Sequence, residues 1–339
     1  MITEKEPYKE LFPVLEIEHW KDLIAFYQKK QEEWKDWIFR GQEDSKSGLT
    51  TTFERNMERL NIRGEDHYEL ERGLLRKFQR HFHVYSNYLP REDDFIEWLS
   101  IMQHFGTTTR LLDCTYSFYV ALFFALESAR FSEEKYSTVW AFDTDWLGKG
   151  CRAALPEKER NKINKFKFGV TNPIVDRHLL SQKEPIPFIY PVTPLKHNER
   201  ITIQQGGFLA LGDLSRSFIK NLDSMAKREE LKKHLYLILL PRTEKFLHSA
   251  ILELHRMNMN AATLFRGLDG FARHLNNLVV MPQLITADNV ALSGSQQETS
   301  NSQLQEEIAK LSEIVKKIST RLDSLDKKIA KLKIIKSKA

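Results

Sequence analysis

"QHFGTTTRLLDCTYSFYVALFFAL", residues 103–126, changes character twice along its length. It opens on two polar side chains, Gln103 and His104, turns at Gly106, and passes three threonines to reach Arg110. Asp113 and Thr115 follow, and from about Ser117 the chain is apolar on every side, the mark of a helix buried all round. A helix leaves its first N–H groups without partners, so an aspartate or threonine just ahead of it is expected to cap it. Arg110 and Asp113, three residues apart, are expected to pair and pin the turn. A polar turn rich in donors at a helix start also suits an anion. These residues therefore carry a packing reading and a ligand reading side by side.

Upstream, "WIFRGQ" (37–42) reads as a short strand. Successive side chains of a strand point to opposite faces, so Trp37 and Phe39 share one side while Ile38 and Arg40 share the other. An arginine on the face of Ile38 either pairs with a carboxylate or lines a cleft. A guanidinium fork there suits a pyrophosphate, and Gly41 beside it lets a ligand or another backbone approach. Apolar residues at helical spacing predict helices within 17–35, 65–85, 93–104 and 116–129. "STVWAFDT" (137–144), "RITIQ" (200–204), "GFLAL" (207–211) and "HLYLILLP" (234–241) read as strands. On the strand reading of 200–204, Arg200, Thr202 and Gln204 form one wholly polar face, either facing solvent or lining a cleft with Arg40 and the Gln103–Thr115 turn. Helices come mostly first and strands later, which predicts an α+β fold with a mixed sheet.

The bulk properties narrow the classes of function. The chain has 339 residues, 41% of them hydrophobic, enough for a sizeable core. Two cysteines, Cys114 and Cys151, argue against a secreted disulfide framework, and no apolar stretch is long enough to span a bilayer. The expectation is a soluble cytoplasmic protein without a membrane partner. The formal net charge is +5, and residues 301–339 alone carry ten Lys or Arg against five Asp or Glu. Residues 1–300 are therefore neutral, with no broad basic footprint for a phosphate backbone. No phosphate-loop, dinucleotide-loop or nucleophile-elbow motif occurs, and the Cys and His spacings make no zinc site, so no metal is expected.

The tail is the most regular segment. Leu304, Ile308, Leu311, Val315, Ile318, Leu322, Leu325, Ile329 and Leu332 are spaced alternately four and three apart. An unbroken seam of this kind predicts a coiled-coil helix over 303–337 that self-associates as a dimer or tetramer. "ADNVALSGSQQETSNSQ" ahead of it reads as a linker. The expected organisation is an α+β domain over 1–285, a flexible linker over 286–302 and an oligomerisation helix over 303–337.

"FRGQ" at 39–42 together with "QHFGTTTRLLDCT…ALFFA" at 103–125 resembles the FRG domain family. "RITIQQGGF" (200–208) and "ATLFRGLDG" (262–270) resemble later landmarks of that family in the expected order, so the likeness covers about residues 20–275. Cys114 stands where the family usually has an aromatic, and Thr108 and Arg266 stand where proline is common. The family's bacterial and phage-related settings imply a defence or toxin-type effector. The order of an early arginine, a central polar turn and a late polar strand end is similar to ADP-ribosyltransferase folds. That analogy implies binding of NAD or a related nucleotide, with ADP-ribose transfer to a protein or nucleic-acid acceptor, or cleavage of the nicotinamide bond. It assigns ligand contacts to Arg40, Gln42, Thr109, Arg110 and Thr115, and catalytic contacts to His104, Glu199 and Gln204. Two other classes fit the same residues. One is a metal-independent ribonuclease using His104, Asp113 and Arg110. The other is a non-enzymatic nucleotide- or peptide-binding module assembled by its coiled coil.

Overall fold

The computed structural model describes residues 11–161, 173–180, 185–194, 196 and 199–279. The linker and heptad segments read from the sequence lie outside the described residues.

Seven strands, β1 (Val14–Glu16), β2 (Trp37–Gln42), β3 (Leu111–Thr115), β4 (Ser132–Asp143), β5 (Ile189–Val192), β6 (Gly206–Leu211) and β7 (Leu235–Arg242), form one mixed sheet. Their order across it is β1-β7-β4-β2-β3-β6-β5. β1 runs parallel to β7, and every other pairing is antiparallel. The helices of five or more residues are α1 (Trp20–Lys30), α2 (Thr52–Arg59), α3 (His67–Phe82), α4 (Phe95–His104), α5 (Phe118–Leu126), α6 (Thr144–Ala154), α7 (Pro173–Leu180), α8 (Glu199–Ile203), α9 (Phe218–Asp223), α10 (Arg228–His234), α11 (Glu244–Arg256) and α12 (Leu268–Val279). The fold is thus α+β.

Strand alternation sorts the core. Ile38, Leu112, Trp140, Leu209 and Leu237 belong to one cluster that runs beneath most of the sheet. Their sequence neighbours face the other way and divide into two clusters. Trp37, Phe39, Val139, Ala141 and Ile238 pack under α1, α5 and α11. Leu111, Phe208, Ala210 and Tyr190 pack under α3 and α4. The division falls between β2 and β3. There the ladder is a single pair, Phe39 opposite Thr115, whereas β2 pairs with β4 along all of Trp37–Gln42. The sheet is therefore nearly parted at its centre.

Several local features depart from the reading of the sequence. Residues 111–115 form a central strand rather than a polar turn, because Leu111, Leu112 and Cys114 each find a core on their own face. The cap of α5 is Ser117, whose hydroxyl accepts from Val120 N at 3.3 Å, and neither Asp113 nor Thr115 caps it. Residues 199–203 form the helix α8, and the strand begins only at Gly206. Gln205, at φ 47, makes the left-handed turn that ends the helix. Gly41 owes its lack of a side chain to packing: a Cβ there would lie 1.8 Å from the Ala121 carbonyl oxygen of α5. The backbone that approaches it is the helix of the opening stretch.

Candidate functional site

A cavity of about 420 Å³ occupies the opening between β2 and β3. β2 contributes Arg40 and Gln42, β3 contributes Asp113 and Thr115, α4 contributes Ser100, Gln103 and His104, and α8 with the residue that follows it contributes Arg200 and Gln204. Early, central and late parts of the chain thus meet at one place.

Arg40 spans the gap. Its Nη1 donates to the Asp113 carbonyl at 2.6 Å, a position that a neighbouring strand would occupy in an unbroken sheet. Its Nε is sealed from solvent without a partner, and the side chain forms no ion pair among the described residues. Burial lowers the guanidinium pKa, with Cys114 and Asp113 acting in the opposite direction. An arginine still carries its charge at any physiological pH, so an anion is the missing partner in chemical terms. Arg200 is the second cation of the cavity wall, and it too forms no ion pair among the described residues. Its Nε donates to Gln204 Oε1 at 3.4 Å, and its guanidinium lies 5.5 Å from the Phe265 ring centroid.

Other wall residues are held by the protein itself. Gln42 is used at both ends of its amide: Nε2 donates to the Gly48 carbonyl at 2.9 Å, and Oε1 accepts from Trp140 Nε1 at 2.6 Å. Thr115 Oγ1 donates to the Gln204 carbonyl at 2.6 Å and accepts from Ser117 N at 3.0 Å. Gln204, buried, donates from Nε2 to the Leu264 carbonyl at 2.9 Å while its oxygen holds Arg200. These three shape the wall, and Gln204 also holds the cation Arg200. The late "ATLFRG" turn supports Gln204 and Arg200, since Leu264 anchors Gln204 and Phe265 carries Arg200.

His104 sits at the end of α4. Desolvation, with the charge of Arg200 beside it, lowers its pKa, so the imidazole is neutral at pH 7 and able to accept a proton. Asp113 is exposed to the cavity, and its carboxylate has no hydrogen bond or ion pair among the described residues. Cys114 also lines the cavity, but burial pushes its thiol up to about 12, so it is no nucleophile at neutral pH.

Three residues assigned to the site by the sequence reading lie outside the cavity wall. Arg110 is fully buried and holds Glu71 through Nε at 2.8 and 3.0 Å and also through Nη2. Its partner is therefore Glu71 of α3 rather than Asp113. Thr109 is fully buried, and its hydroxyl donates to Gln103 Oε1. Glu199 is at the surface, paired with Arg266. Conversely, Arg200 and Ser100 line the cavity although the catalytic and ligand sets drawn from the sequence omit them, and Asp113 entered only through the nuclease alternative. Arg200 falls beside Gln204 because i and i+4 share a helix face, so the helix keeps together the pair that a strand would have aligned.

Residues 35–134 match the model of the FRG domain, and the chain carries an FRG domain over that span. The segment runs from just ahead of β2 into β4, so it supplies the Arg40 and α4–β3 walls, while the α8–β6 wall lies beyond it. Neither the curated proteins nor the solved structures compared with the chain give a match. No helix among the described residues is long and apolar enough to cross a membrane.

Proposed function

We propose that the cavity binds a pyrophosphate-bridged nucleotide of the NAD class and breaks its nicotinamide–ribose bond. The observation that carries this reading is the pair of arginines, Arg40 and Arg200, that face one cavity and form no ion pair among the described residues. Guanidinium groups hold phosphate oxygens by charged, often bidentate, hydrogen bonds. Three carboxylates line the cavity. Glu43 is paired with Arg242 and Asp44 accepts from Lys46 N, so Asp113 takes the part that the analogy gave to Glu199. In the reaction the C1′–N bond breaks and its electron pair neutralises the pyridinium nitrogen. Asp113 stabilises the positive charge left on the ribose. Water, or an acceptor hydroxyl or carboxylate, adds to C1′ and gives up any proton it carries to the neutral His104. Such a reaction needs positioning and charge stabilisation more than a covalent nucleophile.

The test is release of nicotinamide from NAD by the purified full chain, with ADP-ribose binding measured by calorimetry. Arg40→Ala is expected to lose binding about tenfold or more, the scale of one charged hydrogen-bonded contact. Asp113→Asn is expected to keep binding and lose turnover about a hundredfold, the scale of one electrostatic stabiliser. Equal turnover by Asp113→Asn and wild type would sink the assignment. A second reading, a nucleotide-binding module without turnover, is favoured by the position of Glu199, which is engaged by Arg266 away from the cavity. It predicts ADP-ribose binding that depends on Arg40 and no nicotinamide release by any form of the protein. The proposal places the protein among effectors of defence or toxin type, whose heads would be gathered by self-association through 303–337.

A further inference from the structure

A second hollow, of about 770 Å³, adjoins the first across α4. The two share Ser100 and His104, which are one helical turn apart and form the ridge between them. The character of the second hollow is different. Its floor is aromatic: Phe78 and Phe82 stack at 5.4 Å between centroids and are backed by Trp98. Its rim carries two large rings left in water, Tyr85 at 84% exposure and Phe105 at 68%. Tyr85 has no ring contact among the described residues, and the nearest ring to Phe105 is His104, at 4.9 Å. Polar groups stand along one side. The buried Glu97 accepts from the Tyr88 hydroxyl, and Lys196 lies 4.4 Å over the Tyr88 ring.

We infer that this annex is a nucleobase subsite, and that it takes the base of the same ligand whose phosphates lie against Arg40 and Arg200. Exposed rings above an aromatic floor offer flat apolar faces, and only a flat partner covers them without leaving gaps. Glu97, Lys196 and Ser100 add a carboxylate, an ammonium and a hydroxyl, a mixed set of acceptors and donors matched to the edge of a heterocycle. The shared ridge makes the two hollows one bipartite site: phosphates and ribose on the sheet side of His104, base on the aromatic side. This inference rests on the phosphate reading of the cleft, and the two can fail separately.

The experiment is calorimetric titration of the full chain with two probes, ADP and inorganic pyrophosphate. Phe105→Ala and Tyr85→Ala alter exposed rings, so their folding is not at issue. Each is expected to weaken ADP binding by about tenfold, the scale of one base–aromatic stack, while pyrophosphate binds as to wild type. Arg40→Ala is expected to weaken both probes. If both ring variants bind ADP like wild type, the annex is not a base subsite, whatever Arg40→Ala does. If Arg40→Ala binds both probes like wild type, the phosphate reading fails instead. A wild-type chain that binds neither probe overturns both.

Discussion

Arg110 and Arg40 show how two shielded guanidinium groups in one chain come to serve different ends. Arg110 meets Glu71 in a fork of hydrogen bonds, and Tyr68 and Phe95 rings lie 5.5 and 5.7 Å from its guanidinium carbon. Every charge there is answered inside the protein. Arg40 meets a carbonyl and open space. The first arrangement belongs to stability, and removing one partner strands the other in a dry core. Glu71→Ala is expected to destabilise the fold by about 3–5 kcal/mol, read as a lowered midpoint in urea. A midpoint within error of wild type would show that the pair is idle. The sequence presented Arg110 and Arg40 on equal terms, each an arginine in a family motif. What separates them is Glu71, a residue 39 positions from Arg110 on another helix, and no local pattern points to it.

Among the elements, the strands and helices legible from sequence are those whose period is strong. β4, β6, β7 and helices α1, α3, α4 and α5 all fall where alternation or helical spacing placed them. "RITIQ" misled because isoleucines two apart imitate strand alternation, while Ile201 and Ile203 in fact point from one short helix into two different cores. "LLDCT" was hidden for the opposite reason: its central aspartate breaks the apolar run that marks an inner strand. The cleft itself depends on pairing between distant strands, which one-dimensional patterns do not contain. The α8 helix also needs the turn around Phe265, which lies between Arg200 and Arg273 with guanidinium carbons 5.5 and 4.4 Å from its centroid. On the proposed reading, Phe265 would act on ligand through Arg200. Phe265→Ala is expected to weaken pyrophosphate binding two- to fivefold, the scale of an exposed cation–π contact, in an otherwise wild-type chain. In an Arg200→Ala background the same change is expected to have no further effect. An undiminished loss in that background would mean that Phe265 works by another route.

At the scale of the molecule, burial of carboxyl groups ties stability to pH. Glu54, Glu97, Glu127 and Asp176 all have pKa values raised, and in each case desolvation is the largest cause. Asp176 on α7 is the extreme. It is buried, its Oδ1 has no hydrogen-bond partner among the described residues, the charge of Asp94 lies near it, and its pKa is pushed up from 3.8 to about 7. Below 3.8 the carboxyl is protonated whether the chain is folded or not, and its ionisation costs the fold nothing. Between 3.8 and about 7 the unfolded chain releases the proton while the folded chain keeps it, so stability falls steadily as pH rises across that window. Above about 7 the loss is complete and constant. Asp176→Asn removes the ionisation, so its advantage over wild type should be near zero at pH 4 and grow to roughly 2–4 kcal/mol at pH 8, since a tenfold change in proton affinity is worth about 1.4 kcal/mol. Thermal melts of both proteins at pH 4, 6 and 8 measure this directly. Parallel curves, with the same difference in Tm at all three pH values, would show that Asp176 ionises in the folded chain as readily as in the unfolded one. The pH dependence of the fold would then have to come from the glutamates on α2, α4 and at the end of α5.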